Sequence, residues 1–387
     1  MVASIEWPEI VRRRGDGSVR PGSPLRDERT AAILGIALGV SFTVCFATGL
    51  YSHWAQSTDP IIAFPARPAG LYRVTQATHV FTGVLSIPLL LAKLWTVLPK
   101  FFRIPPVASF AHLLERLALL PLVGGAIFLL VTGVNNVAAW YPWQFDFVAA
   151  HHWAAWITIG GLVTHIGAKL STTRSALRRG AVADSPRASG LGRRGFLATV
   201  GGTALFLAAS VESQSISVFR RIGLLSPRDL SKGVQGLPVN SSAERRGVVE
   251  SATSSDYRLR VTGAVEQELE FTIGDLRAME QHEAELPIAC VEGWSKSAHW
   301  RGIRLRDLLA EAGARDDASC TVVSLQQRGG FRTSWVNRSH AHDRDTLLAL
   351  ELNGEVLHVD HGFPVRLIGP NRPGVSQTKW VTEVRVS

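Results

Sequence analysis

Cysteine and charge are both scarce in this sequence. Only three of the 387 residues are cysteine, at Cys45, Cys290 and Cys320, and an odd number without regular spacing argues against a disulfide-linked scaffold. Charged residues make up 19% and hydrophobic residues 46%, a balance typical of a chain that lies partly in a membrane. No lysine-rich face interleaved with aromatic residues is found, so the composition excludes a nucleic-acid groove.

The positive charge is unevenly distributed. The whole chain has a formal charge of +9, yet residues 256–387 hold 16 Lys and Arg against 19 Asp and Glu. The basic excess therefore belongs to the N-terminal two thirds, where it flanks apolar segments. This pattern is typical of membrane orientation.

Four apolar stretches, at roughly 31–53, 74–98, 113–137 and 147–170, are each long enough to span a hydrocarbon core as a helix. Residues 1–30 carry six arginines and the segment from Lys169 to Arg194 carries seven basic residues, whereas no Lys or Arg occurs from Leu117 to Ala168. The positive-inside rule then places the tail 1–30 and the basic loop 171–194 in the cytoplasm. The sequence predicts a multi-pass protein of a bacterial cell membrane whose C-terminal domain is extracytoplasmic.

A fifth, weaker apolar segment occupies residues 195–211 and follows Arg193 and Arg194 directly. Paired arginines before Phe-Leu and a Gly/Ala-rich run resemble a twin-arginine export signal, here placed internally. The alternative is an ordinary last helix with cytoplasmic arginines. We expect this segment to remain as a fifth helix, because no clean small-residue cleavage site follows it.

Histidines dominate the ionisable residues of the predicted spans. Such residues are expensive in a membrane, which makes them functional candidates, although interfacial or helix-pairing roles are the alternative. His151 and His165 are 14 residues apart and share one helix face at two depths, about 21 Å apart. His79 matches the depth of His151, while His112 is the partner left for His165, because Lys93 stands where an inner histidine would belong.

Paired imidazoles are a common ligand set for electron-transfer haem iron. Residues 31–170 resemble the bacterial four-helix membrane b-type cytochromes, and the resemblance implies one or two haem b groups. Its haem positions correspond best to His79, His151 and His165, and the Lys93 departure concerns the second haem.

Residues 212–255 are rich in Ser, Gly, Arg and Pro without periodicity and are predicted to be a linker. Alternating and apolar runs then predict strands at 257–261, 269–273, 321–325, 365–368 and 380–386, and an amphipathic pattern predicts a short helix over 305–312. The fold class expected is multidomain, an all-α transmembrane bundle followed by an α+β domain over 256–387.

Three patches of the C-terminal domain carry chemistry. The first is Ile288-Ala289-Cys290-Val291-Glu292-Gly293-Trp294-Ser295, in which a cysteine opens a glycine-containing loop, and soft thiolate suits molybdenum as it does other soft metals. The second begins at His361 and includes Arg366. The third runs from Pro370 to Trp380 and includes Arg372, Ser376 and Lys379. The last two patches supply donors suited to a pterin and its phosphate.

Together these patches resemble the molybdopterin-binding domain of the sulfite oxidase family. The resemblance implies that Cys290 is the catalytic thiolate ligand of molybdenum and that His361, Arg366, Ser376 and Lys379 hold the pterin. Arg372, in the same patch, is a further candidate for cofactor binding. The alternatives are an inert core thiol at Cys290 and a turn residue at His361. Cys320, in an apolar strand, is expected to be core.

Two departures from the family bear on the substrate. The sequence ends just past the Lys-Trp stretch, without the dimerisation domain of classical sulfite oxidases, which favours a monomer. Residues 285–288, before Cys290, lack an arginine suited to an anionic substrate. Both facts favour the monomeric periplasmic members of the family, some of which reduce sulfoxides. Arg332, His340 and His342 could line a substrate pocket, although a solvated loop is the favoured interpretation.

The sequence therefore predicts a molybdopterin-dependent oxidoreductase that exchanges electrons between quinone or quinol, haem b and an extracytoplasmic molybdenum site. The expected substrate is a small oxidised or reducible molecule of the sulfoxide type, and the expected surroundings are membrane lipid without nucleic acid. One alternative is a sulfite-type dehydrogenase that feeds electrons to quinone. Another is a membrane-anchored binding or sensor module without catalysis, and a third is an electron-transfer subunit with a degenerate cofactor site.

Overall fold

The computed structural model describes residues 11–13, 19–21, 25–58, 62–101, 110–178, 192–216, 219 and 223–387. Two compact units divide the chain. The first comprises residues 1–47, 78–213 and 219–225, and the second comprises residues 48–77, 214–218 and 226–387. The predicted N-terminal tail and the basic loop 171–194 fall largely outside the described residues.

Five long helices account for most of the first unit. They are α1 (Glu28–Ala55), α2 (Leu71–Phe101), α3 (Phe110–Val137), α4 (Phe147–Arg178) and α5 (Arg193–Glu212). In the described part of the chain, four segments are long and apolar enough to cross a membrane: Glu28–Ala55, Leu71–Pro99, Arg116–Val137 and Arg193–Glu212. The predicted span 147–170 is not among them, because His151, His152 and His165 interrupt the apolar run of the 32-residue helix α4.

Small residues allow α3 and α4 to approach closely. A Cβ atom added at Gly161 would lie 3.3 Å from the backbone nitrogen of Leu122, and one added at Gly125 would lie 2.1 Å from the Thr158 hydroxyl. A larger residue at Gly161 would require the Leu122 backbone to move, and one at Gly125 would require the Thr158 side chain to move. Glycine at helix contacts allows neighbouring backbones to approach closely.

A short hairpin pairs β1 (Val11–Arg13) with β2 (Val19–Pro21). The strands of the second unit are β3 (Leu259–Gly263), β4 (Leu269–Phe271), β5 (His282–Ala289), β6 (Ser295–Arg304), β7 (Cys320–Ser324), β8 (Thr333–Val336), β9 (Leu347–Leu352), β10 (Glu355–Val356), β11 (Arg366–Ile368) and β12 (Val381–Val386). They form two five-stranded sheets. One has the order β4-β3-β12-β7-β8, in which β12 pairs with β3 in parallel and with β7 in antiparallel orientation. The other has the order β10-β9-β6-β5, with β11 also pairing with β9.

Alternation in the strands predicts their buried faces. In β7 every second side chain, beginning with Cys320, is buried against the neighbouring helices and strands, so the prediction of a core role for Cys320 is confirmed. All five predicted strands and the predicted helix, observed as α9 (Leu305–Glu311), are present within two residues of their expected ends. The α+β character expected of this region is therefore observed.

Part of the predicted linker belongs to the folded domain instead. Residues 243–253 form two short helices, α6 (Ala243–Arg246) and α7 (Val249–Thr253). Ser242 accepts a hydrogen bond from the Arg245 amide as an N-cap, and Gly247 ends α6 in the left-handed region. Ala243, Val248 and Ala252 are buried with Trp380. Periodicity missed these helices because each is shorter than two turns. The remaining short helices are α8 (Ile273–Ala278) and α10 (Arg338–Ala341).

Candidate cofactor site

A cavity of about 180 Å³ lies in the second unit, where β5, β11 and the loop before β12 meet. Its lining includes four of the residues that the sequence singled out: Cys290, His361, Arg366 and Lys379. These residues span almost ninety positions of the chain and converge only through the fold. Among the described residues that line the cavity, none is Asp or Glu.

Cys290 is presented by a tight turn between β5 and β6. The Cys290 amide donates to the Trp294 carbonyl at 2.8 Å, and the Gly293 amide donates to the Cys290 carbonyl at 3.0 Å. Gly293 has φ +87°, a backbone conformation that favours glycine. The turn leaves the Cys290 side chain 6% exposed and on the cavity wall.

Two N–H groups point at the Cys290 sulfur. Asn240 Nδ2 lies 2.9 Å from Sγ, and the Glu292 amide lies 3.5 Å from it. Burial and the nearby Glu292 carboxylate raise the pKa of the thiol to about 12, so the sulfur is protonated when no metal is bound. A coordinated metal ion would replace this proton, and both N–H groups would then donate to a thiolate.

Asn240 is itself held in place by ionic contacts. Arg228 donates to the Asn240 side-chain oxygen at 3.0 Å and pairs with Glu292 at 2.7 Å, while Trp294 Nε1 donates to the same carboxylate at 3.3 Å. The side-chain oxygen of Asn240 therefore faces Arg228, and its NH2 group faces Cys290. The sequence offers no local signal for Asn240, which lies fifty residues before Cys290 in the predicted linker.

Arg366, Lys379 and His361 also line the cavity. Arg366 Nη1 donates to the His361 carbonyl at 3.0 Å, and no described residue accepts from its buried Nε. Lys379 Nζ donates to the carbonyls of Ser241 at 3.0 Å and of Asp360 at 2.6 Å. His361 Nε2 donates to the Val234 carbonyl at 2.7 Å.

Burial weakens the charge of this basic group. It lowers the pKa of Arg366 to about 9, and together with Arg366 it lowers the pKa of Lys379 to about 7. Burial and the same arginine lower the pKa of His361 to about 4, so this imidazole is neutral. Gly362 has φ +111°, and a Cβ atom there would lie 3.1 Å from Lys379 Cα, so the His-Gly dipeptide allows the two chain segments to touch. Arg366 is buried and its Nε has no acceptor among the described residues, so this part of the cavity suits an anionic ligand.

Arg372 and Ser376 are buried but do not line the cavity. Arg372 donates to the carbonyls of Ser376 at 2.9 Å and of Trp335 at 3.1 Å, which ties the loop 370–376 to itself and to β8. Pro373 also forms a parallel bridge with Ala289, next to Cys290. Their direct contact with a pterin stays a prediction, whereas their effect on the loop is visible.

Arg332, His340 and His342, the residues considered for a substrate pocket, do not line the described cavity. His340 is 4% exposed, where its Nδ1 lies 3.0 Å from the Asn337 side-chain oxygen and its Nε2 lies 3.1 Å from the Pro370 carbonyl. His340 therefore contacts the loop 370–376 at its first carbonyl. The expectation of a solvated loop is wrong for His340, because this residue of α10 is buried.

The geometry of the cavity fits a molybdenum pterin cofactor. A thiol able to bind a soft metal lines the cavity together with Lys379 and the buried Arg366, whose Nε has no acceptor among the described residues. The Gln377 side-chain oxygen is also buried without a partner among the described residues, so it could accept from a heterocyclic N–H group. An oxygen acceptor, cationic donors and a thiolate are the groups that a pterin, its phosphate and its metal require.

The candidate ligands of haem iron lie in the helical unit. The rings of His79, in α2, and His151, in α4, have centroids 6.2 Å apart. His79 Nδ1 lies 2.8 Å from the Cys45 carbonyl, which can only accept, so Nδ1 carries the hydrogen. His151 Nδ1 lies 2.8 Å from the Thr132 hydroxyl, whose own hydrogen goes to the Phe128 carbonyl at 2.8 Å. Both Nε2 atoms therefore keep a lone pair for a metal ion.

The inner pair is less complete. His165 is half-buried on α4, and Lys93 Nζ donates to the Ala31 carbonyl at 2.6 Å. The side chain of His112 lies outside the described part of α3. A second haem site therefore stays a prediction from the sequence.

Comparison with known proteins identifies the C-terminal region. The model of the oxidoreductase molybdopterin-binding domain matches residues 246–387. An uncharacterised oxidoreductase of Bacillus subtilis is 28% identical over 133 residues, which cover 33% of this chain and 64% of the relative. Mitochondrial sulfite oxidase of Mus musculus is 31% identical over 157 residues, covering 34% of this chain and 29% of that protein.

A third relative is a putative protein-methionine-sulfoxide reductase subunit of Azospira oryzae, which is 29% identical over 139 residues. This match covers 36% of the chain and 52% of the relative. The chain spans less than two thirds of the length of each of these three relatives. Residues 246–387 are thus a sulfite oxidase-like molybdopterin-binding domain, and the chain is an oxidoreductase.

Proposed function

We propose that this chain is a membrane-anchored molybdenum oxidoreductase that passes electrons from quinol through haem b to a molybdenum site at Cys290. We further propose that it reduces sulfoxides. The observation that carries the proposal is the cavity that Cys290 lines together with Arg366 and Lys379, where the Cys290 sulfur accepts a hydrogen bond from Asn240 Nδ2. The enzyme class is established by the domain, whereas the electron route and the substrate are the proposed parts.

The residues on the cavity wall have distinct roles in this proposal. Cys290 supplies the protein thiolate to the metal, and Asn240 donates to that sulfur and withdraws charge from it. Arg366 and Lys379 hold the anionic end of the pterin. The neutral His361 positions Arg366, because its carbonyl accepts from Arg366 Nη1 while its Nε2 donates to the Val234 carbonyl. When bound, the cofactor supplies oxo exchange coupled to a two-electron change, which no side chain of the protein can provide.

A sulfoxide suits the apolar part of the cavity. Leu237, Pro238 and Val375 line it, and Phe331 lines it while staying 41% exposed. The net reaction consumes two electrons and two protons, breaks the S–O bond, and releases a sulfide and water. The name of the Azospira oryzae relative supports this substrate class. A neutral substrate also requires no fixed positive charge beyond that which holds the cofactor.

Oxidation of sulfite is the second candidate, and one residue favours it. Arg246 is an exposed cation on the cavity wall, where its Nε donates to the Ser241 hydroxyl at 2.7 Å. Such a group could attract a sulfite anion. In this direction sulfite gains an oxygen atom from water, and two electrons leave for quinone. The Mus musculus relative carries that activity in its name.

The haem part of the proposal depends on His79 and His151. Two imidazole nitrogens that share a metal ion lie ~2 Å from it, which would separate the ring centres by about 6 Å. The observed separation of 6.2 Å supports a bis-imidazole iron site. The hydrogen bonds at both Nδ1 atoms would fix the tautomer and strengthen the ligands.

The membrane part depends on composition. The four apolar helices support a multi-pass anchor in a bacterial membrane. Basic flanking residues support a cytoplasmic N-terminus and an extracytoplasmic C-terminal domain. The proposal includes Arg193 and Arg194 as a twin-arginine signal that exports the domain folded around its cofactor.

Cofactor analysis followed by a substrate screen tests the proposal. We expect purified protein to hold one molybdenum and one or two haem b groups per chain. Reduced dye should support turnover of methionine sulfoxide or dimethyl sulfoxide above that of nitrate, N-oxides or sulfite. Protein that holds neither cofactor under full supply would sink the proposal.

The substitution Arg246→Gln separates the two substrate classes. A sulfoxide reductase should keep its KM within about twofold, because its substrate carries no net charge. A sulfite dehydrogenase should show a KM for sulfite that rises about tenfold, the equivalent of ~1.4 kcal/mol.

A further inference from the structure

The connection between α1 and α2 belongs to the second unit. Residues 48–77 cluster with the cofactor domain, although the chain segments on either side belong to the helical unit. We call residues 62–76 the connecting segment. Within it Ala66 and Tyr72 are each 1% exposed, so the segment is packed into the domain.

Asn371 makes four contacts with this part of the chain. Its side-chain oxygen accepts from the Tyr72 amide at 2.7 Å and lies 3.4 Å from the Tyr51 hydroxyl. Its side-chain nitrogen donates to the Pro65 carbonyl at 2.7 Å, and its own amide donates to the Ala69 carbonyl at 2.8 Å. Asn371 directly precedes Arg372, so the contacts fall on the loop that lies against Ala289 and Cys290.

One of these contacts caps a helix. α2 begins at Leu71, so the Tyr72 amide belongs to the first turn, whose N–H groups lack partners inside the helix. Asn371 supplies the side-chain oxygen that an N-cap residue normally supplies from the chain itself. Its φ of +51° is a conformation that asparagine adopts more readily than most residues. The start of α2 is therefore completed by the cofactor domain.

Further contacts flank Asn371. Asn337 Nδ2 donates to the Phe64 carbonyl at 2.8 Å, and the Ala66 amide donates to the Ser339 hydroxyl at 3.0 Å. Arg67 forms paired hydrogen bonds of 2.9 Å with Asp343. Since His340 bridges Asn337 and the Pro370 carbonyl, both sides of the loop are tied to the connecting segment.

The first turns of α2 also reach the Cys290 turn directly. Gln76 Nε2 lies 3.4 Å from the Val291 carbonyl, and Arg73 Nη1 lies 3.3 Å from the Ser297 hydroxyl. Gln76 in turn accepts from the Ser52 hydroxyl at 2.7 Å, which links the end of α1 to the same network. The turn that carries the molybdenum ligand is thus held by the helix ends as well as by its own strands.

We propose that Asn371 is a positioning residue, which locks the cofactor loop and the Cys290 turn onto the first turn of α2. The functional consequence rests on the proposed electron route, because α2 is the helix that carries His79, three residues beyond Gln76. One continuous helix therefore connects the contacts of Asn371 to His79, and we expect loss of these contacts to slow electron transfer to the cofactor domain.

Hydrogen exchange on the full-length holoprotein in detergent tests the docking without any assumption about haem or quinone. Asn371→Gly removes three side-chain contacts but keeps the positive φ and the amide donor. We expect amides of residues 64–73 to exchange at least tenfold faster in this variant. The matched control is Asn353→Gly, since Asn353 also has a positive φ, of +52°, but lies in the β9–β10 turn. Unchanged exchange in Asn371→Gly, or equal acceleration in the control, would overturn the proposal.

Turnover with two electron donors tests the positioning role. In Asn371→Gly we expect quinol-driven kcat to fall at least tenfold further than dye-driven kcat, with both rates expressed per bound molybdenum. Parallel loss with both donors would mean a merely structural role and would overturn the proposal. Wild-type protein active with dye but inactive with quinol contradicts the proposed electron route, and the exchange experiment then decides the docking alone.

A second variant guards against loss of cofactor in Asn371→Gly. Arg67→Ala removes the ion pairs with Asp343 and Asp345 and leaves the contacts made by Asn371 in place. We expect a smaller change of about threefold in both exchange and quinol-driven kcat, because partly exposed pairs contribute little. A change confined to dye-driven turnover would contradict the positioning role.

Discussion

The helical unit and the cofactor domain hold their reactive groups in different ways. In the helices, His79 and His151 each use one ring nitrogen for a neutral oxygen partner and keep the other nitrogen available. In the cofactor domain, Arg366 and Lys379 donate hydrogen bonds to backbone carbonyls, and none of the described residues that line the cavity is Asp or Glu. The two histidines of the helical site are neutral ligands for a metal ion, whereas the cavity presents cationic side chains that suit an anionic ligand.

This difference indicates where each cofactor contributes stability. A neutral imidazole pair costs little when empty, because its hydrogen bonds are already satisfied. A buried cation without a counter-ion costs free energy until an anion arrives. We therefore expect the cofactor domain to depend on its ligand for stability more than the helical unit does.

The largest expected effect tests whether the reaction belongs to the cavity. Cys290→Ala should lower dye-driven turnover at least ~1,000-fold, because a metal ligand and its charge are lost together. Cys320→Ala is the matched control, since Cys320 is the other buried thiol of the domain and lies in the core. Turnover per folded protein, measured with reduced dye and sulfoxide, checks both variants. Retained activity in Cys290→Ala would rule out a molybdenum role for this residue.

The next effect tests the helical side of the comparison. His79→Ala or His151→Ala should abolish the absorbance of the outer haem and quinol-driven turnover, while dye-driven turnover stays within about threefold. His152→Gln serves as the control, because His152 follows His151 on α4 and its Nε2 accepts from Trp156 Nε1 at 3.2 Å. Haem spectra that survive both substitutions at His79 and His151 would show that the iron ligands lie elsewhere.

A smaller effect concerns the tuning of the Cys290 sulfur. Asn240→Ala should slow dye-driven turnover about tenfold, because a hydrogen bond to a charged acceptor contributes ~1.5–3 kcal/mol. Asn240→Asp has nearly the same shape but no N–H donor, so it should be at least as slow and should shift the molybdenum reduction potential downwards. Wild-type potential and rate in Asn240→Asp would show that donation to the sulfur is unimportant.

The smallest effect concerns pH. In cofactor-free protein the pKa of Lys379 is about 7, below its usual value of ~10.4 in the unfolded chain. Between these values the unfolded state binds the additional proton, so the free energy of unfolding should rise with pH, by about 1 kcal/mol from pH 7 to 8. The variant Lys379→Met should lose this rise. Thermal unfolding at a series of pH values checks it, and parallel curves for both proteins would contradict the assignment.

The sequence predicted five of the ten described strands β3–β12 and one of the five short helices α6–α10, in places where local pattern and burial agree. Alternation in 321–325 anticipates β7, and the amphipathic run anticipates α9. The two helices before β3 were missed because they are four and five residues long. The α4 helix was foreseen, but its histidines leave it less apolar than the four candidate spans.

The site was predictable only in part. Cys290, His361, Arg366 and Lys379 stand in ordered motifs, and all four line the cavity. Arg372 and Ser376 come from the same motif yet hold the loop rather than form the wall, because side-chain direction depends on the turn and not on the order of residues. Asn240 and Asn371 carried no signal, since their importance comes from contacts with residues 50 and 299 positions away.

The sequence alone determined which groups are present: apolar helices with histidines at helical spacing, and a thiol followed by basic residues in motif order. Helical periodicity is local, so it places His151 and His165 on one face without any tertiary contact. Tertiary structure alone decided which groups meet. Hydrogen bonds and burial act through space, and only the folded domain brings Asn240 to the Cys290 sulfur and Asn371 to the first turn of α2.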